Sequence, residues 1–176
     1  MEIQTTLTII FGSITFLALI VVFYVNNLLM KKDKVDHQFE SVIKYLKERK
    51  NLIDRVSSFT EEHTENEEKY VKTLRKHGEN ISDITTLNKE SLKEIKSSLK
   101  QLKKFIKMNE IYPKFSKNGI YSLLSDEIIL NEERFNYSIE SYNKEAKIYN
   151  EIKSKNKVNI YISKIFKIND YEYYDE

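Results

Sequence analysis

The sequence predicts an all-α protein with one transmembrane helix at its N-terminus. Glycine occurs three times and proline once in 176 residues, whereas all-β and loop-rich folds use both heavily in turns. Residues 3–30 carry no charged side chain. After them, apolar residues return at steps of three, four or seven, which is the period of an α-helix. A membrane anchor followed by packed helices accounts for all three observations.

The anchor is predicted at residues 1–30, with its transmembrane part at about residues 6–25. That run of twenty residues covers a hydrocarbon core of about 30 Å, because each helical residue rises about 1.5 Å. Glu2 is the only charge before the run, and no small-residue cleavage site follows it. The pattern therefore indicates an uncleaved anchor and not a secretory signal peptide.

Lysine residues flank the anchor on one side only. No lysine or arginine precedes the apolar run, and those that follow it are Lys31, Lys32 and Lys34. Positive flanks stay in the cytoplasm. We therefore expect a single-pass protein of the cell membrane, with its N-terminus outside and its C-terminal domain in the cytoplasm. Residues 31–168 are the predicted helical domain, and residues 169–176 are predicted to be a disordered acidic, tyrosine-rich tail or a short docking peptide.

The first helix after the anchor is predicted from a one-sided apolar stripe. Its members are Val35, Phe39, Val42, Leu46, Ile53 and Val56. Arg49 occupies the slot between Leu46 and Ile53 where another apolar residue would be expected. Its guanidinium must therefore reach past the core edge or meet a carboxylate.

Two further amphipathic segments follow an acidic stretch at residues 61–69. The first uses Tyr70, Val71, Leu74, Ile81, Ile84 and Leu87, and Gly78 interrupts it as a break or a soft point. The second covers residues 88–111, with its apolar face at Leu92, Ile95, Leu99, Leu102 and Ile106 and lysines over most of the remainder. Pro113 ends this helix, because proline cannot continue the hydrogen-bond ladder, and predicts a helical hairpin turn.

The last long helix has a seam that advances in threes and fours. Its members are Tyr121, Leu124, Ile128, Phe135, Ile139, Tyr142, Ala146 and Tyr149. The dipeptide Tyr-Asn occurs at residues 142–143 and again at 149–150, so both tyrosines share one heptad position and are predicted to pack inward. Glu132 lies in the same seam, and a carboxylate there needs a partner. We hypothesise that Glu132 pairs with Arg49; Lys50 or solvent is the alternative.

Two stretches resemble the LemA family. The segment ERKNLID at residues 48–54 resembles that family's basic segment, and EIYPKFSKN at residues 110–118 resembles its Glu-x-Tyr-Pro-x-Leu-x-x-Asn turn. The positions that match the family's motifs are Glu110, Tyr112, Pro113, Asn118, Tyr142, Asn143, Tyr149 and Asn150. The resemblance implies an N-terminal membrane anchor, an antiparallel bundle of about four long helices and no established enzymatic activity.

Composition and motifs argue against several kinds of site. The chain has no cysteine, so it has neither a disulfide nor a Cys-based zinc site. Its net charge is only +2 with mixed signs, which argues against nucleic-acid binding. Its three histidines lack metalloprotease spacing, and no phosphate loop, nucleophile elbow or calcium loop occurs. We expect no catalytic, cofactor or metal site and no small-molecule substrate.

The favoured function is a non-catalytic interaction or scaffold module at the inner face of the membrane. Its partners would be the lipid bilayer and a protein that binds the lysine-rich helix at residues 88–111 or the acidic tail. One alternative is an accessory or regulatory partner of a membrane enzyme such as a protease. Another is an enzyme that uses Glu132 and Arg49. Lysines of residues 88–111 could also contact anionic lipid headgroups.

Overall fold

The computed structural model describes residues 2–155, 157–166 and 169–172, and gives side-chain environments from Gln4 onward. Its elements are α1 (Glu2–His63), α2 (Glu68–Ser82), α3 (Lys89–Ile106), α4 (Met108–Ile111), a 3₁₀ turn (Pro113–Lys117), α5 (Gly119–Lys155) and α6 (Lys157–Ile165). No strand occurs among the residues described, so the all-α prediction is confirmed. Residues 173–176 of the predicted tail lie outside the described residues.

The chain divides into two compact units. We call Gln38–Tyr142 the bundle unit, and Met1–His37 together with Asn143–Glu176 the terminal unit. Helix α1 is unbroken from Glu2 to His63. The helix that carries the predicted anchor therefore continues into the residues of the bundle unit.

The bundle unit is built from antiparallel neighbours. On α1 and α5, Arg49 meets Asn131 and Arg55 meets Glu127, so rising numbers on one helix face falling numbers on the other. The same holds for α2 and α3, where Tyr70 donates to the Gln101 carbonyl and the His77 ring contacts the Glu94 carboxylate. Helices α1 and α2 are also antiparallel, because Arg75 contacts Glu61 whereas the later residue Gly78 packs on the earlier residue Ile53. The helices thus run up, down, up and down.

The buried face of α5 differs from the predicted seam at two positions. Asn131 and Ser138 are 4% and 3% exposed, whereas Glu132 and Ile139 are only half-buried. Asn131 and Ser138 lie seven and fourteen residues after the buried Leu124, so all three share one heptad position. The buried face advances by three residues after Ile128, whereas the predicted seam advances by four.

The buried face of α3 is also rotated from the predicted one. Its most buried residues are Ile95, Ser98, Leu102 and Phe105. The predicted members Leu92, Leu99 and Ile106 are half-buried. The helix itself is shorter than predicted, because it ends at Ile106 and the Lys107 amide turns back to the Lys104 carbonyl at 3.1 Å. Its start is sharply defined by Asn88, whose side chain and that of Ser91 form a reciprocal capping box.

Gly78 is a packing position within a continuous helix. Helix α2 runs through it without a break, and Gly78 is buried. A Cβ atom built on Gly78 would lie 2.9 Å from Ile53 Cγ2 on α1. The glycine therefore allows the α2 backbone to approach a core side chain of α1 more closely than any other residue would.

Gly78→Ala is expected to lower the free energy of unfolding by about 1–2 kcal/mol, because the clash with Ile53 outweighs the gain in helix propensity. Urea denaturation of the full chain in detergent, followed by circular dichroism, measures it. Combined with Ile53→Ala, which removes the clashing methyl group, the glycine change should cost less than it does alone. A stabilised Gly78→Ala protein would contradict the close approach.

A polar cluster joins α2 and α3 near their exposed edge. The Glu94 carboxylate accepts from Asn80 Nδ2 at 3.0 Å and contacts His77 Nδ1. Burial raises the pKa of Glu94, but the hydrogen bonds from His77 and Asn80, with the charges of His77 and Lys76, outweigh burial and leave it below the ordinary value of 4.5. The carboxylate form is therefore favoured in the folded protein.

The cluster predicts a loss of stability in acid. Because the folded-state pKa of Glu94 is depressed, its contribution is present above pH 4.5 and is lost as the pH falls through the folded value. Glu94→Gln should remove this part of the pH dependence while leaving stability at pH 7 lower than in the native protein. Denaturation curves at pH 7 and below pH 4.5 measure it, and an unchanged acid dependence in Glu94→Gln would count against the cluster.

The N-terminal part of α1 exposes apolar side chains. Within the described chain, α1 is the one helix long and apolar enough to cross a membrane, and none of its most apolar window is buried. Phe11, Phe16 and Phe23 are 66%, 65% and 68% exposed. After Glu2, the next charged side chain along α1 is Lys31. Exposing such an apolar surface to water costs free energy, whereas contact with hydrocarbon does not.

Candidate functional site

Arg49 forms the centre of a buried polar cluster in the bundle unit. It is 0% exposed. Its Nε donates to Asn131 Oδ1 on α5 at 3.0 Å, and its Nη1 lies 3.5 Å from the Ile95 carbonyl oxygen on α3. The Phe135 ring centroid is 4.6 Å from the guanidinium carbon. Three helices therefore meet around one cation.

Asn131 completes the link between α1 and α5. While its Oδ1 accepts from Arg49, its Nδ2 donates to the Tyr45 carbonyl oxygen at 3.1 Å. Both functional groups of this amide are thus bonded to α1. Arg49 Nη2 makes no hydrogen bond with the residues that the structure describes. The guanidinium is consequently held through Nε, Nη1 and the aromatic face.

The predicted direct pair between Glu132 and Arg49 does not form, because Glu132 pairs with Lys103. Its Oε1 accepts from Lys103 Nζ of α3 at 2.7 Å, and its side chain is 24% exposed. Asn131 holds the inward position because one residue turns the side chain by about 100° round a helix. Glu132 therefore lies at the bundle edge and acts on Arg49 only through its charge.

The electrostatics of Arg49 follow from its enclosure. Burial lowers its pKa from the usual value for arginine to about 10, and the Glu132 carboxylate opposes that lowering. The guanidinium is therefore still charged at pH 7. A fully enclosed cation offers no face to a substrate, but its directed hydrogen bonds can specify how α1, α3 and α5 align.

The family-motif turn shapes the connection from α4 to α5. Tyr112 ends α4 through its amide, which donates to the Met108 carbonyl at 2.7 Å, and Pro113 opens the 3₁₀ turn. Asn118 Oδ1 accepts from the amides of Ile120 and Tyr121 at 2.9 and 3.2 Å and so caps α5. The Tyr112 hydroxyl donates to Glu67 Oε1 at 3.1 Å. Glu110 is exposed.

An aromatic cluster lies under this turn. Phe115 is 1% exposed, and its ring centroid is 5.2 Å from those of both Phe59 and Tyr121. Phe105 lies 4.9 Å from Tyr121. The Tyr121 hydroxyl is 2.5 Å from the Ile106 carbonyl oxygen, so it also binds the end of α3. These contacts join α1, α3, the 3₁₀ turn and α5 at one end of the bundle unit.

The two Tyr-Asn dipeptides serve different parts of the chain. In the bundle unit, Tyr142 is 4% exposed and its ring lies 5.9 Å from that of Phe39. In the terminal unit, Tyr149 is 1% exposed and packs edge-on against Tyr171 at 5.2 Å. Both tyrosines pack inward as the heptad predicts. Asn143 is the first residue of the C-terminal segment of the terminal unit.

Asn150 binds the backbone of the acidic segment near the C-terminus. Its Nδ2 donates to the Tyr171 carbonyl at 2.7 Å and its Oδ1 accepts from the Tyr171 amide at 3.1 Å. The Tyr171 hydroxyl contacts Asp36 on α1, and Lys153 pairs with Asp170 at 2.7 Å. Burial, with the nearby Asp170 and Asp36, raises the pKa of Tyr149. Residues 169–172 are thus held against α1 and α5 within this unit.

The lysine-rich side of α3 faces outward. Besides Lys89 at its start, six lysines on α3 and at its C-cap are exposed: Lys93, Lys96, Lys100, Lys103, Lys104 and Lys107. Lys103 pairs with Glu132, whereas acids on α3 are confined to Glu90 and Glu94 near its start. We call these six lysines the basic face. No group of three or more His, Cys, Asp or Glu side chains suited to a metal ion occurs in the part of the chain that was described.

Sequence reasoning missed Asn131, Ser138 and Ser98. All three are buried, and each lies seven residues from another core position, namely Leu124, Asn131 and Phe105. Heptad spacing points to these positions, but it does not by itself choose between Asn131 and Glu132, because Glu132 also lies seven residues from an apolar residue, Ile139. Tyr171 carried no comparable signal, because its contacts depend on how the segment after α6 returns to α5.

Comparison with protein families agrees with the geometry. The family model described as "LemA family" matches residues 38–176, which include the whole bundle unit, the turn at Pro113 and the Tyr-Asn pairs. No curated protein sequence matches the chain. The match covers most of the chain and the elements that build its core. This protein therefore belongs to the LemA family.

Proposed function

We propose that this chain is a membrane-anchored, non-catalytic interaction module whose bundle unit stands at the inner face of the cell membrane. The observation that carries the proposal is α1, which joins an exposed apolar stretch to a bundle helix without a break. Lys31, Lys32 and Lys34 follow that stretch and favour the cytoplasmic side for what comes after.

The geometry of Arg49 and Glu132, the two residues that the enzyme alternative would use, supports a structural role for both. Arg49 is fully enclosed, and Glu132 is engaged by Lys103. A general acid or base must reach the proton that it transfers, and a binding cation must reach its ligand. Among the described residues, Asn131, Ile95 and Phe135 surround the Arg49 guanidinium, so the cluster supports helix packing better than catalysis.

The basic face is the surface that we propose for a protein partner. Its exposed lysines line one side of α3 with few acids among them, so an acidic segment of another membrane protein would be attracted to it. Tethering both proteins to one membrane raises their effective concentration. A rim of lysines of this kind mainly increases the rate of association and makes it sensitive to salt.

Cross-linking of the full chain in native membranes, followed by purification in gentle detergent, tests this proposal. We expect a defined set of membrane proteins with the native chain and with the control Lys44→Glu/Lys47→Glu, which changes exposed lysines of α1. Lys96→Glu/Lys100→Glu should lose that set. Recovery of the chain alone, or a set unaffected by the α3 substitutions, would contradict the proposal. A membrane enzyme within the set would support an accessory role.

A further inference from the structure

Helix α6 has two distinct faces. Asn159, Ile162 and Ser163 are buried, and Asn159 Nδ2 donates to the Ile152 carbonyl at 2.8 Å, which ties α6 to the end of α5. On the outward side, Tyr161 and Ile165 are 68% and 73% exposed. They are four residues apart and therefore share a face of the helix.

The outward face is apolar and its margins are basic. Val158 lies three residues before Tyr161 on the same face, and Phe166 directly after α6 is 54% exposed. The exposed lysines beside this stripe are Lys155, Lys157 and Lys164. Residues 152–168 contain five lysines and no acid. An apolar stripe beside lysines is typical of helices that lie in the interface of an anionic bilayer.

The terminal unit also places protein at the edge of the anchor. Leu28 is 1% exposed, whereas Leu29 and Met30 beside it are 43% and 56% exposed. A helix alone does not enclose its own side chain this fully, and the compact unit that contains Leu28 also contains residues 143–176. Leu28 stands three residues before Lys31, where the uncharged stretch ends. The unit that contains α6 therefore also contains the boundary between the apolar and charged parts of α1.

We propose that α6 is a second membrane contact, whose face of Val158, Tyr161 and Ile165 lies in the headgroup and upper acyl region of an anionic bilayer beside the α1 anchor. The inference rests on the anchoring part of the proposed function. Tyr161 suits this depth because its ring is apolar and its hydroxyl is polar. The flanking lysines contact anionic phosphate groups, each adding electrostatic attraction to the surface.

Single tryptophans can test this contact, since the chain contains none. The full chain is reconstituted in vesicles of phosphatidylcholine and phosphatidylglycerol, with and without lipids brominated in the upper acyl chain. Tyr161→Trp reports on α6, and Phe16→Trp reports on the anchor. Tyr137→Trp is the matched control, because Tyr137 is 74% exposed on α5 in the bundle unit. Ile165→Trp repeats the α6 measurement one turn along.

The expected result is that brominated lipid quenches Phe16→Trp, Tyr161→Trp and Ile165→Trp but not Tyr137→Trp. Adding Lys157→Glu/Lys164→Glu should weaken the quenching of Tyr161→Trp, whereas Lys44→Glu/Lys47→Glu should not. If brominated lipid quenches Phe16→Trp but neither Tyr161→Trp nor Ile165→Trp, the inference is overturned and the anchor remains supported. A blue-shifted but unquenched Tyr161→Trp would show that protein, such as a second copy, covers α6. If brominated lipid does not quench Phe16→Trp, the anchor is overturned as well.

Discussion

Phe115→Ala is expected to lower the free energy of unfolding by about 3–5 kcal/mol, the range for truncating a buried phenylalanine. The ring is 1% exposed and contacts Phe59 and Tyr121, each at 5.2 Å between centroids. Its loss would leave a cavity where α1, the 3₁₀ turn and α5 meet. Urea denaturation of the full chain in detergent, followed by circular dichroism, measures the change.

Phe115→Leu is the matched control for this cavity. Leucine is the residue at this place in the family turn that the sequence resembles, and it fills most of the space. We expect Phe115→Leu to cost about 1 kcal/mol. Equal losses for alanine and leucine would mean that the ring's stacking, and not its volume, supports the turn. A negligible loss for alanine would contradict the aromatic cluster as described.

Asn131→Ala is expected to cost about 2–3 kcal/mol, because it removes the acceptor of a buried charged donor. Arg49 Nε would lose its partner while remaining fully enclosed, and the Tyr45 carbonyl would lose its donor from Asn131. The same denaturation experiment measures it. Asn136→Ala, at an exposed position on the same helix, should change stability by less than about 0.5 kcal/mol.

Glu132→Gln separates the two accounts of the cluster. If Glu132 were the buried partner of Arg49, its neutralisation would cost several kcal/mol. Since Glu132 is partly exposed and paired with Lys103, whose side chain is 51% exposed, we expect a loss below about 1 kcal/mol. A larger loss for Glu132→Gln than for Asn131→Ala would contradict the geometry.

The helices were predictable because their apolar residues follow the helical period, and the turn at Pro113 because proline ends a helix. The prediction was wrong in the rotation of α3 and α5, where core positions are shifted by one residue from the predicted ones. Both errors occurred where polar side chains, Ser98 on α3 and Asn131 on α5, hold core positions. Apolar periodicity passes over such residues, and only a strict heptad retains them.

The candidate site was predictable in part for the same reason. Arg49 was identified as a candidate because it is a charged residue within an apolar stripe. In the structure it is buried, as a position within that stripe should be. Its partner could not be chosen from sequence, because Asn131 and Glu132 are adjacent and differ only in the direction in which they face α1. The hydrogen bonds between Asn150 and Tyr171 could not be predicted, since nothing in the local sequence specifies where residues 169–172 pack.

The most direct test of the anchored topology uses one cysteine, because the native chain contains none. Tyr137→Cys places it at an exposed position of the bundle unit. A membrane-impermeant maleimide is added to intact cells and to permeabilised cells. We predict that the protein stays with the membrane fraction and is labelled only after permeabilisation. Labelling in intact cells, or recovery of the protein in the soluble fraction, would contradict the account.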